Sequence, residues 1–329
     1  IALSGEWEAM KGEVSFDAIG DNPPSDAAVK DGSQQIRTFE YTYGSNQMLP
    51  SREEFWAQSD AYTLSGWKYN STVFSIDTPV DTTLLFDPVT DVTLNPNITG
   101  RRLTAIWAYK NIHLSASDDG VVSSDGTSVG ISGSYGDDVS TIIQAIYNDN
   151  TQSEFTYSIS QADIETLGSY GLGVTNGGTY FKISGQIMKV TNAGGVSVTL
   201  TVTDNKAVDD PSTPEDERVS EYIVTLNASK KQVTIDPESI RDPGRSQEPY
   251  KSYNGDNQIA VSPRVELEGV VEFADTGKDN VYLTVDGNAT LLNEDAGYNK
   301  DIKLTGVKLA GDADKLGNYV LTGITAAST

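Results

Sequence analysis

Cysteine is absent from the 329 residues. That removes disulfides, thiol nucleophiles and thiolate metal sites. Histidine occurs once, as His113. One imidazole leaves almost no material for a histidine-rich zinc site or a hydrolytic triad. It lies in the alternating run Asn111-Ile112-His113-Leu114 and reads as a surface or rim histidine rather than a base. Positive charge is scarce too: 23 Lys and Arg face 47 Asp and Glu, a net charge of −24. Such a surface repels phosphates, and no basic cluster offsets it, so nucleic acid is excluded as a partner. No apolar run approaches the ~18–20 residues needed to span a membrane. There is no Gly-x-Ser-x-Gly elbow and no phosphate loop. Among 47 acids some pair always lies close, so a glycosidase pair has no specificity here. The expectation is a non-catalytic chain.

What is present points to strands. Ser197-Val198-Thr199-Leu200-Thr201-Val202-Thr203 alternates polar and apolar residues, as do Glu221 to Leu226, Gln232 to Ile235 and Asn280 to Val285. Alternation at β-branched and aromatic positions marks half-buried strands. Asp119-Gly120, Asp125-Gly126, Asn176-Gly177, Asn254-Gly255 and Asp286-Gly287 supply turns. Two or three short helices are expected, from three candidate segments. Ser51-Arg52-Glu53-Glu54 reads as a capping box before Phe55 and Trp56. Val139, Ile142, Ile143, Ile146 and Tyr147 fall at helical spacing, and Gln161 to Leu167 ends before Gly168. The fold class is therefore mainly β: tandem small β-modules with two or three short helices.

Four stretches follow in order. Residues 1–36 carry no assignment. From about 37 to 108 the chain carries Thr38-Phe39-Glu40-Tyr41, then Leu49-Pro50, Tyr62-Thr63-Leu64-Ser65-Gly66-Trp67, Asp77-Thr78-Pro79-Val80 and Leu103-Thr104-Ala105-Ile106-Trp107. This pattern resembles the Listeria–Bacteroides repeat, the B-repeat of internalin-type surface proteins, with extra residues around Leu84 to Arg102. The resemblance implies a β-grasp-like module. Trp67 and Trp107 read as fillers of a core too small to bury much else. From 109 to 230, Phe155 to Ser160, Ala162 to Leu167 and Gly194 to Thr203 resemble a bacterial Ig-like sandwich. From 231 to 329, Lys251-Ser252-Tyr253-Asn254-Gly255-Asp256 and the close Gly317-Asn318-Tyr319-Val320-Leu321 resemble the YDG domain of large bacterial adhesins, with Asn254 where that family has Asp.

These resemblances imply a segment of a large bacterial surface protein, extracellular, acting as stalk or adhesion modules. Its partners would be neighbouring modules of the same chain and a host or matrix protein or glycan. The start at Ile1, without Met or a basic leader, reads as a piece of something longer. The alternative is a carbohydrate-binding module array, for which Trp7 and Trp56 are the candidate exposed platforms. Calcium is the one candidate ion. Asp204, Asp209, Asp210 and Asp216, with Glu215 and Glu217 beside them, cluster in one loop and offer the hard oxygens it takes, although no EF-hand spacing is present. In a cysteine-free chain a Lys–Asn isopeptide bond beside a buried acid is a second way to staple a module.

Overall fold

The computed structural model describes residues 10–20, 23–24, 26–30, 32–86, 100–150, 154–207, 218–240, 255–259, 261–286, 289–291 and 302–323. The chain is mainly β, with two short α-helices among the described residues. It divides into two compact units. The first holds Ile1–Ser115, Gln144–Tyr157 and Thr201–Glu221; the second holds Ala116–Ile143, Ser158–Leu200 and Tyr222–Thr329.

The first unit is built on a five-stranded sheet. Its strands are β1 (Lys11–Asp17), β2 (Ile36–Thr42), β3 (Tyr62–Tyr69), β4 (Thr72–Ser75) and β5 (Arg102–Tyr109), in the order β2-β1-β5-β3-β4. β1 therefore comes from the stretch that the sequence left unassigned. It runs antiparallel to β2, from Lys11↔Thr42 to Asp17↔Ile36, and parallel to β5 at Ser15↔Arg102. Val14 and Phe16 on β1 and Leu64 and Trp67 on β3 are fully buried. Val14 and Phe16, two apart, share the core face of β1, and a register irregularity between Leu64 and Gly66 lets Leu64 and Trp67, three apart, reach the same core. Trp56 and Trp67 stack 5.8 Å apart in that core, and Phe16 meets the Trp67 ring edge-on at 4.8 Å. Large rings fill the volume that a small module cannot fill with many side chains. Asp17 ends β1 almost buried, and it accepts from Gln35 Nε2 at 2.9 Å, from the Ile19 and Gly20 amides, and from Arg102. Burial pushes its carboxyl up, but Gln35, Arg102 and the two amides outweigh that and hold it below the usual carboxylate value.

Ten elements follow: β6 (Ile112–Ala116), β7 (Gly120–Val122), β8 (Ser128–Ser134), β9 (Asp138–Tyr147), β10 (Phe155–Ile159), α1 (Gln161–Ser169), β11 (Leu172–Asn176), β12 (Phe181–Gln186), β13 (Val196–Asp204) and β14 (Val219–Ser229). They form two sheets, β6-β9-β12-β11 and β7-β8-β14-β13-β10, and β6, β9, β10, β13 and β14 contribute residues to both units. β8 and β14 pair parallel, from Ser128↔Ile223 to Ser134↔Ser229. Burial alternates along β9, β13 and β14, as in the half-buried strands of a sandwich.

The expected helix at 139–147 is overturned. That segment is β9, and Val139, Thr141, Ile143, Ala145 and Tyr147 are its buried row. The residues fit both periods, and β-branched Val139, Thr141, Ile142, Ile143 and Ile146 favour the strand once a partner strand is present. The expected helix after Ser51 is a single turn at 52–54, closed by Glu54 Oε2 on the Ser51 amide at 3.2 Å. By contrast α1 forms where expected but runs through Gly168 to Ser169 instead of stopping before Gly168, with the Ser160 side chain accepting from the Asp163 amide at its start.

The second unit closes with β15 (Lys231–Ile235), β16 (Arg264–Val265), β17 (Leu267–Glu268), β18 (Val281–Val285), β19 (Val307–Gly311), α2 (Ala313–Leu316) and β20 (Tyr319–Leu321). They make two three-stranded sheets, β17-β15-β20 and β16-β18-β19. Val233, Val265, Leu267, Phe273, Leu283 and Tyr319 share their core.

Candidate functional site

Each unit contains one buried aspartate that accepts hydrogen bonds from two tyrosine hydroxyls. In the first unit the three residues close three strands: Tyr109 ends β5, Tyr147 ends β9 and Asp204 ends β13. Asp204 is 0% exposed. Its Oδ2 accepts from Tyr109 Oη at 3.0 Å and from Tyr147 Oη, and its Oδ1 accepts from the Lys206 amide at 2.8 Å. The rings pack as well as donate. Tyr62 and Tyr109 meet edge-on at 5.7 Å, and Tyr147 meets Phe155 at 5.3 Å. Lys110 Nζ lies 5.1 Å from the Tyr147 ring centre and 3.0 Å from Asp149.

In the second unit Tyr135 comes from the turn between β8 and β9, Asp279 precedes β18 and Tyr319 opens β20. Asp279 Oδ2 accepts from Tyr135 Oη at 2.7 Å and from Tyr319 Oη at 2.6 Å. Tyr319 Oη also accepts from the Val271 amide at 3.1 Å. Burial pushes both hydroxyls above their usual value of 10, and the Asp279 acceptor adds to the shift. Tyr135 is fully buried and belongs to the same core as Val233 and Leu283, so a turn of the preceding strands plugs the core of the following ones. Two neighbours fix that turn. Gly136 has φ +84°, and a Cβ there would lie 2.4 Å from both methyls of Val271. Asp137 accepts from Lys231 Nζ at 2.8 Å.

Buried carboxylates and buried phenols each cost free energy unless paired, and here each satisfies the other. Hydrogen bonds to a charged group contribute about 1.5–3 kcal/mol each. The two sites are therefore cross-links. They offer no open position for a substrate.

The predicted site residues fall out as follows. Trp7, Asp209, Asp210 and Asp216 lie outside the described residues. Asp204 is brought to the centre of a cluster, but its two oxygens already accept three donors from the protein. No group of three His, Cys, Asp or Glu placed to hold a metal ion occurs among the described residues. Trp56 is not an exposed platform. It is 2% exposed, its Nε1 donates to the Gln35 carbonyl at 3.0 Å, and Arg37 covers its ring at 5.1 Å. The turn at 52–54 drops Phe55 and Trp56 into the first core, where large side chains are needed. Trp67 is in the core as expected, and half-buried Trp107 packs against it. His113 is half-buried and pairs with Asn148 Oδ1 at 3.2 Å, at a rim. The tyrosine clamps were missed. Their only sequence signal is 16 tyrosines in an acid-rich chain, since a buried tyrosine hydroxyl needs a partner.

No protein-family model matches the sequence, and no curated protein matches it. Among solved structures, the BIgI domain of beta protein from S. agalactiae, bound to CEACAM1, aligns over 36% of this chain and 100% of its own, at 16% identity and a TM-score of 0.20. The sialic acid binding region of a Streptococcus sanguinis SK1 adhesin aligns over 87% of this chain and 76% of its own, at 11% identity and a TM-score of 0.27. The T6 backbone pilin of serotype M6 Streptococcus pyogenes covers 98% of both chains at 9% identity and a TM-score of 0.23. These neighbours are bacterial surface adhesin and pilin structures, and at such TM-scores the function has to be argued from this chain's own residues.

Proposed function

We propose that the chain is a non-catalytic, load-bearing segment of a bacterial surface protein, a stalk or adhesion region that displays or contributes to a contact with a host or matrix ligand outside the cell. The observation that carries this is the pair of tyrosine–aspartate cross-links. Each joins residues far apart in sequence, by 95 and 57 positions at Asp204 and by 144 and 40 at Asp279. A cysteine-free chain has no disulfides to resist extension, and two buried cross-links supply that resistance. The residue patterns that resemble a B-repeat, an Ig-like domain and a YDG domain support the same reading at a finer level, since such modules are strung in tandem. Net charge of −24 favours a soluble, self-repelling surface.

The stacking-platform alternative draws no support from the described residues, in which every Trp, Tyr and Phe is buried or half-buried. The test is single-molecule extension of the chain between terminal handles. Asp279→Asn and Asp204→Asn should each lower the peak unfolding force while leaving the far-ultraviolet circular dichroism unchanged. Peak forces equal to wild type in both variants would remove the load-bearing role.

A further inference from the structure

A cleft of about 630 Å³ opens in the second unit beside the end of α1, the segment after β12, the link between β14 and β15, and α2. Three lysines from three of these elements line it: Lys189, Lys230 and Lys315. The chain has two acids for every base, so a lysine should find a carboxylate easily. Yet none of these three forms an ion pair among the described residues, whereas Lys11, Lys110, Lys206 and Lys231 all do. Two are instead steadied by rings: Lys189 Nζ lies 5.4 Å from the Tyr170 ring centre, and Lys315 Nζ lies 5.8 Å from that of Phe273. One acid, Asp314, shares the rim, which leaves the cleft net positive. The last carbonyls of α1 do not oppose an anion strongly, because the Tyr170 and Gly171 amides already cap them.

We infer that this cleft binds an acidic saccharide, with the lysines taking its carboxylate or sulfate groups. Local positive charge on a strongly negative surface attracts an anion only at that place and repels it elsewhere, which makes the cleft selective for position. The lining is mixed: Asn192 can bond sugar hydroxyls, and Met188 and Val190 offer apolar surface to the face of a sugar ring. A saccharide presents hydroxyls and C–H ring faces beside its acidic groups, and that match favours it over an acidic peptide. The inference rests on the adhesive reading only for the biological source of the sugar; the cleft itself stands on its residues.

The test is a nuclear magnetic resonance titration of the whole chain with a non-sulfated chondroitin tetrasaccharide, its sulfated form, neutral chitotetraose, sodium sulfate and a glutamate-rich peptide. The amides of Lys189, Asn192, Lys230 and Lys315 should shift with one or both acidic saccharides and not with chitotetraose. Which of the two binds more tightly separates carboxylate from sulfate recognition. A Lys189→Gln, Lys230→Gln double variant, at two exposed positions and with its fold checked by an unchanged amide spectrum away from the cleft, should lose at least tenfold in affinity, and added salt should weaken the wild type. Several outcomes overturn the inference: no shift with either acidic saccharide, sulfate alone binding as well as the saccharides, binding of the peptide only, or full affinity in the double variant. If no saccharide binds while Asp279→Asn still lowers the unfolding force, the cleft fails and the load-bearing role survives.

Discussion

The two aspartate clamps use the same chemistry and build it from different parts. At Asp204 all three members are the last residues of regular strands, so the sheets themselves aim the side chains. At Asp279 one tyrosine sits in a turn and the aspartate in a connecting segment, so the local backbone has to be fixed by other means. Those means are visible: Gly136 at φ +84° against Val271, the Asp137–Lys231 ion pair, and a second bond to Tyr319 from the Val271 amide. The comparison teaches that a buried carboxylate can be served by long strands, which need little local help, or by short segments, which need several supporting contacts. The second clamp should therefore be the more sensitive to changes around it, and the two should respond alike only when the aspartate itself is removed.

The largest effects test that last point. Asp204→Ala and Asp279→Ala each remove a charged acceptor shared by two tyrosine hydroxyls, and each is expected to cost about 3–5 kcal/mol in urea unfolding. A loss below 1 kcal/mol at either site would mean that its tyrosines find other acceptors. Next, Gly136→Ala combines a left-handed backbone with a clash on Val271, for an expected cost of about 2–4 kcal/mol. A neutral Gly136→Ala would show that the turn is not what positions Tyr135. Smaller again, Tyr319→Phe should cost more than Tyr135→Phe, within about 1–3 kcal/mol, because only Tyr319 also accepts from a backbone amide. The reverse order would place the weight of the clamp on the turn.

The pH dependence sharpens the same contrast. Tyr135 and Tyr319 keep their protons in the folded chain to well above the usual value, whereas the unfolded chain loses them near 10. Their contribution is fully present below about pH 10 and is lost as pH rises beyond it. Tyr135→Phe should make that alkaline fall shallower in pH-dependent unfolding; Tyr41 and Tyr157, raised first by burial, remain to give a background slope in both proteins. The smallest expected effect is that of calcium. Because Asp204 already accepts three donors, adding calcium in place of EDTA should leave the melting temperature unchanged. A rise of several degrees would show that the native state binds the ion, since a ligand of the native state must stabilise it.

Local reading served the strands well. The alternating runs at 197–203, 221–226 and 232–235 lie in β13, β14 and β15, that at 280–285 covers β18, and a helix forms over 161–167 as expected. It failed at 139–147, where one residue set satisfies two periods and only the neighbouring strand β12 decides between them. It failed at Trp56, where a turn rather than a pattern sends the ring inward. For Asp204 it singled out the residue but not its tyrosine partners, which lie 95 and 57 positions away.

What the sequence determined by itself is the class of object. Absent cysteine, one histidine, a net charge of −24 and period-two alternation define a mainly β, acidic chain with no thiol and a single imidazole. Those properties are sums or local periods, and they survive without knowledge of what touches what. The tertiary structure alone decided which two of the 47 acids hold tyrosines in the interior and which three lysines share a cleft without acid partners. Those pairings join residues up to 144 positions apart, and only packing brings such distant groups within hydrogen-bond reach.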